Sequence, residues 1–218
     1  MFQSAFMQDN KDASLEALQE IRSIMDRSAR FISLSGWSGV WAGAIALVGS
    51  YIAYGWMQKP DYGYARAQIN EGSVTSFSPF IMHIILLALS VFIIAFAGGY
   101  YFTYKKAQSQ GHKLWNNASR QMLIQLLFPL LVGGIFTMFF IYYGCAIFIA
   151  PACLVFYGLA LISASRHTLS DIRYLGMLDV VLGCVNLFFP GHGLLFWAAG
   201  FGLLHILYGV IMWNKYDK

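Results

Sequence analysis

SLSGWSGVWAGAIALVGSYIAYGW, Ser33 to Trp56, is the stretch whose reading decides the fold. Its first half sets glycines among serines and tryptophans, and glycine-rich loops cradle phosphates where they join a strand to a helix in a βαβ unit. Here the glycines follow a segment of helical period and run straight into AIALVGSYIAYGW, an uncharged apolar run. The phosphate reading therefore fails, and the membrane-helix reading holds. Ser35, Gly39 and Gly43 recur every four residues, a stripe of small residues where a second backbone can come close. Trp37 and Trp41 share a neighbouring face. The stripe is expected to contact another span of this chain or span 1 of a second copy.

The rest of the chain agrees with a membrane reading. Of 218 residues, 58% are hydrophobic and 11% charged, against about a quarter charged in soluble domains. The mean hydropathy is +0.59. The net charge of +4 then marks membrane topology before it marks nucleic acid. No nucleic-acid partner is expected. Cys145, Cys153 and Cys184 lie in apolar runs, are odd in number and form no C-x-x-C pair, so they read as buried free thiols. The polar first 30 residues lack the pattern of a secretory signal.

Six apolar stretches approach the roughly 20 residues that cross a bilayer as helix. They lie at about 31–57, 79–104, 122–143, 145–163, 172–189 and 193–213. Pro129 and Pro151 are expected to bend the third and fourth. Twelve basic residues fall on one side of the six spans. Lys11, Arg22, Arg27 and Arg30 precede span 1. Lys105, Lys106, Lys113 and Arg120 separate spans 2 and 3. Arg166 and Arg173 separate spans 4 and 5, and Lys215 and Lys218 follow span 6. Only Lys59 and Arg66 fall on the other side. The positive-inside rule then places both termini in the cytoplasm.

Residues 12–30 repeat apolar side chains at helical spacing, with Leu15, Leu18, Ile21, Ile24 and Met25 on one face. This amphipathic helix is expected to lie on the inner membrane surface or against the cytoplasmic face of the bundle, or to dock a cytosolic partner or a second subunit. The run EIRSIMDRSARFISLSGWSGVWAG, Glu20 to Gly43, resembles the start of a family of small, uncharacterised bacterial membrane proteins. The resemblance implies a bacterial inner-membrane protein of several spans and assigns no activity.

Polar residues inside spans are costly, and so informative. Asp179 is the one acid deep in a span and His205 the one deep histidine. Each is thirteen residues from His192, which puts them at equal depth if His192 is the apex of a hairpin. A carboxyl facing an imidazole has the chemistry of a proton relay, and equally of a buried structural hydrogen bond. Asn186, two turns from Asp179, extends a polar stripe or bridges helices. His83 and His192 fall short of a zinc ligand set, and the histidine depths do not suit a haem pair. No metal and no cofactor are expected. H-E-x-x-H and G-x-S-x-G are absent, and no lysine lies within the six runs to hold retinal.

The expected architecture is an all-α transmembrane bundle of six spans, residues 31–218, preceded by an amphipathic cytoplasmic helix within residues 1–30. The leading functional expectation is a membrane-embedded interaction or signalling protein that docks a cytosolic partner through residues 12–30. The alternative is a small transporter or channel, proton-linked through Asp179 and His205. An enzyme is disfavoured. The bilayer is the first partner, and self-association through span 1 is a second expectation.

Overall fold

The computed structural model describes residues 18, 19, 21, 34–59, 79–111 and 114–218. The amphipathic N-terminal segment lies almost wholly outside them. Of it, Leu18, Gln19 and Ile21 are helical and exposed. The described residues form helices joined by turns, without strands. These are α1 (Gly36–Met57), α2 (Pro79–Ser109), α3 (Asn117–Tyr142), α4 (Ile149–Ala164), α5 (Ile172–Asn186) and α6 (Gly193–Tyr216). All but α5 are long and apolar enough to cross a membrane, α4 together with the short 3₁₀ turn Ala146–Phe148 that leads into it. Large apolar side chains such as Phe92 and Phe96 of α2 and Phe128 and Leu131 of α3 point outward. A water-soluble protein does not expose apolar surface on that scale; an integral membrane protein turns it to lipid.

The helix ends follow local chemistry. Asn116 and Ser119 form a reciprocal capping box at the start of α3. Gly144, at φ 72°, turns the chain between α3 and α4, a conformation that costs glycine nothing. Pro151 is the third residue of α4. That helix follows the 3₁₀ turn directly, whereas Pro129 sits deep inside α3.

α5 departs most from the expected span 172–189. It has 15 residues, about 22 Å at 1.5 Å per residue, against a hydrocarbon core of about 30 Å. Leu187–Phe189 are apolar but belong to the turn. The residue before a proline disfavours helix, and Pro190 with Gly191 at φ 85° ends it.

Glycines set the packing. α4 and α5 run antiparallel in one register, with Gly158 against Gly176 at one end and Pro151 against Gly183 at the other. α1 and α6 also cross through glycine. A Cβ on Gly39 would sit 3.1 Å from the Gly209 Cα, and one on Gly43 would sit 2.6 Å from the Gly202 oxygen. The small face of α1 is thus covered by α6 of the same chain, and self-association through α1 would use another of its faces. Ser35 differs from its two partners in the stripe. It is the N-cap of α1, outside the helix, and its hydroxyl accepts from the Trp37 amide. On the neighbouring face Trp41 donates to the Ile94 carbonyl of α2 at 3.1 Å, and Gly98 makes room for its indole.

The last turn of α6 clamps the charged end of the bundle. The Asp217 carboxylate accepts from the Gly36 amide (2.9 Å) and the Ser35 hydroxyl (3.1 Å), an acid at a helix N-terminus. It also pairs with Lys106 of α2, whose ammonium donates to the Leu34 carbonyl. Both side chains of the pair are 10% exposed. Asp217→Asn keeps the shape and removes the charge, so it is expected to cost about 1–3 kcal/mol, read as a lower thermal midpoint in detergent.

Nearby, Asp171 before α5 accepts from Lys215 (2.8 Å) and from the Tyr216 hydroxyl (2.8 Å). The Lys215 hydrogen bond, with that of Tyr216, holds the Asp171 carboxyl below the usual carboxylate range. A depressed folded-state value contributes stability above the unfolded value, about 3.9, which is lost as pH falls through the folded value. The thermal midpoint should therefore drop below about pH 4, and Asp171→Asn should flatten that part of the profile.

Candidate functional site

The polar side chains inside the bundle collect where α4, α5 and α6 meet. Asp179 sits in the middle of α5 and is fully buried. Neither of its carboxyl oxygens has a hydrogen-bond partner among the described residues. It can be buried there because α6 comes close at a glycine. A Cβ on Gly200 would lie 2.9 Å from Asp179 Oδ1 and would run into Leu154 of α4. Gly200 belongs to a π-helical stretch of α6, Ala198–Leu204. Such wide turns are rare and occur frequently at functional sites.

His205 follows that stretch and is also buried. Its ring reaches back along α6, in the direction helical side chains lean, and Nδ1 donates to the Gly200 carbonyl at 2.8 Å. A carbonyl only accepts, so Nδ1 carries the proton. In a neutral imidazole Nε2 then accepts from the Tyr157 hydroxyl of α4, also at 2.8 Å. Both ring nitrogens are used, and neither is used by Asp179.

The structure therefore corrects the direct Asp179–His205 pair. Asp179 is level with Gly200, and the midpoint of those two falls at Phe189–Pro190 instead of at His192. α5 ends at Asn186, four residues before Pro190, so counting from His192 misplaces the apex. His205 sits five residues past Gly200, nearer the charged end. What the structure joins is a longer chain: Asp179 against Gly200, the Gly200 carbonyl to His205, and His205 to Tyr157. Phe201 packs on both Tyr157 and His205, and Trp197 packs on Phe201.

Asn186 shares the buried face of α5 with Asp179 and is 3% exposed. Its amide nitrogen has no partner among the described residues either. The two residues make a polar stripe about 10 Å long, at 1.5 Å per residue, running from the 187–192 turn to the middle of the bundle.

Tyr157 is the member of this buried polar cluster that sequence reasoning missed. Its signal was its position, since a membrane tyrosine belongs at the headgroup level and not in mid-span. Gly200 was missed as well, although AAGFG, Ala198–Gly202, is the densest run of small residues in the last span. His83 and His192 stay apart from this cluster. His83 bonds through Nδ1 to the Pro79 carbonyl and stacks edge-on with Trp56, while His192 is exposed at the head of α6. Among the described residues no group of three or more His, Cys, Asp or Glu side chains comes together. No family model, curated protein or solved structure matches the chain.

Proposed function

We propose that the chain is a six-span membrane protein with both termini in the cytoplasm, and that it works as a small proton-linked transporter or channel through Asp179. One observation carries the reading: a carboxyl in the middle of the bundle, fully buried, with both oxygens unpartnered among the described residues. Structural buried acids are hydrogen-bonded or paired, because leaving them unpaired costs free energy. An acid retained without a partner inside a membrane points to a group that exchanges its charge. A lone carboxyl suits a proton, whereas a hard cation such as calcium takes six to eight oxygens.

Asn186 gives the proton a polar step from the turn. The Tyr157–His205 pair gives it donors and acceptors towards the charged end. The sixth crossing is supported by register: α5 follows α4 from Gly158 to Pro151, so it reaches as deep as a helix long enough to span. The twelve-to-two distribution of basic residues supports the orientation, and the likeness of residues 20–43 to small bacterial membrane proteins supports an inner-membrane location.

The docking reading rests on a different segment. Leu18 and Ile21, apolar and exposed, favour a surface for the membrane or for a cytosolic protein, and that role is compatible with an Asp179 site. The test of the proton reading is flux in sealed vesicles under an imposed pH gradient. Wild-type protein should dissipate the gradient, and Asp179→Asn at equal folded yield should not. Equal flux in the two would remove the proposal.

A further inference from the structure

The charged end of the bundle has more described basic residues than described acids. Among the described residues it carries Lys105, Lys106, Arg120, Arg166, Arg173, Lys215 and Lys218. The described acids are Asp171, Asp179 and Asp217. Asp171 is engaged by Lys215 and Asp217 by Lys106, while Asp179 is buried in mid-bundle. Arg166 takes part in neither ion pair and is exposed at that end.

Arg166 also lines a cavity. A space of about 240 Å³ between α3 and α4 is bounded by Gln125, Ile162, Ser163 and Arg166. Its polar groups are a guanidinium, an amide and a hydroxyl, all able to donate, and the one formal charge is positive. Guanidinium matches a phosphate by two parallel N–H···O bonds. Ile162 supplies an apolar wall, and on α3 the side chains of Ile124, one residue before Gln125, and Phe128, three after it, are exposed. The cavity thus sets hydrogen-bond donors and one positive charge at the polar end of the helices, near exposed apolar side chains of α3. Basic pockets between transmembrane helices take anionic headgroups in this way.

We infer that the α3–α4 groove at Gln125, Ser163 and Arg166 binds the phosphate of an anionic phospholipid, with an acyl chain lying along α3. The site is independent of Asp179, since neither that residue nor its neighbours line the groove.

The full chain in detergent is offered phosphatidylglycerol or phosphatidylcholine, and retained lipid is counted by native mass spectrometry. Phosphatidylglycerol should be retained about tenfold better, and Arg166→Gln should lower that retention about tenfold, as expected for one charge-assisted bidentate contact. Arg166→Lys should recover part of it. Gln125→Leu, on the other helix, should lower retention about threefold, which keeps the test open if one variant folds poorly. Arg173→Gln, at the same end but outside the groove, should behave as wild type. Millimolar inorganic phosphate should leave the lipid bound; if it displaces the lipid, free phosphate is the ligand and the assignment to lipid is wrong. Equal retention of the two lipids, or an equal loss in Arg173→Gln, overturns the site.

Discussion

Gly43→Leu is expected to separate α1 from α6 and to abolish folded yield. The reason is what a side chain would meet. Its Cβ would lie 2.6 Å from the Gly202 carbonyl oxygen and 2.9 Å from the Ile206 amide nitrogen, both backbone atoms. Backbone cannot rotate away as a side chain does, so the helices must part. Overpacking a core costs about 1–3 kcal/mol and sometimes more. A leucine at a backbone crossing belongs at or beyond the upper end, against a total stability of about 5–15 kcal/mol.

Alanine gives a graded version of the same test. Gly43→Ala should be clearly destabilising. Gly39→Ala, 3.1 Å from the Gly209 Cα, should cost less. Gly55→Ala, with nothing within 4 Å, should be neutral or slightly stabilising. Thermal midpoints in detergent should fall in that order. A flat series would mean that the α1–α6 crossing does not hold the bundle together.

Asp179→Asn is expected to do the opposite: little change in stability and complete loss of transport. The side chains have the same shape, so Gly200 and Leu154 keep their fit. The carboxyl has no partner among the described residues to lose, and removing an uncompensated buried acid is neutral or stabilising. Flux should fall at least about a hundredfold, the lower range for losing a positioned proton-transfer group, towards the leak of protein-free vesicles. His205→Gln should lower flux less, because His205 lies beyond the acid and is held by Gly200 and Tyr157. A purely structural Asp179 would show the reverse pattern, with lost folding and no specific effect on flux.

These two outcomes differ in how far the sequence could anticipate them. The four-residue spacing of Gly39 and Gly43 is legible because helix period is fixed. Their partner is not, since Gly202 and Gly209 lie seven apart in another span and nothing in the spacing says which small faces meet. Asp179 and Asn186 stand out because polar residues are scarce in apolar runs. Their relation to His205 does not, because depth was counted from His192 while the chain turns at Phe189–Pro190. Hydropathy reads Leu187–Phe189 as span because it records composition and not where a helix stops. The clamp at Asp217 was illegible for a related reason: a terminal acid looks solvated until α1 and α2 are seen to end beside it.

The central claim is that Asp179 exchanges a proton inside the bundle. The most direct measurement is infrared difference spectroscopy of the reconstituted protein as bulk pH is stepped. Wild type should show a carboxyl C=O band that gains and loses intensity with pH, and that band should be missing from the difference spectrum of Asp179→Asn. A band pattern identical in the two proteins would contradict it.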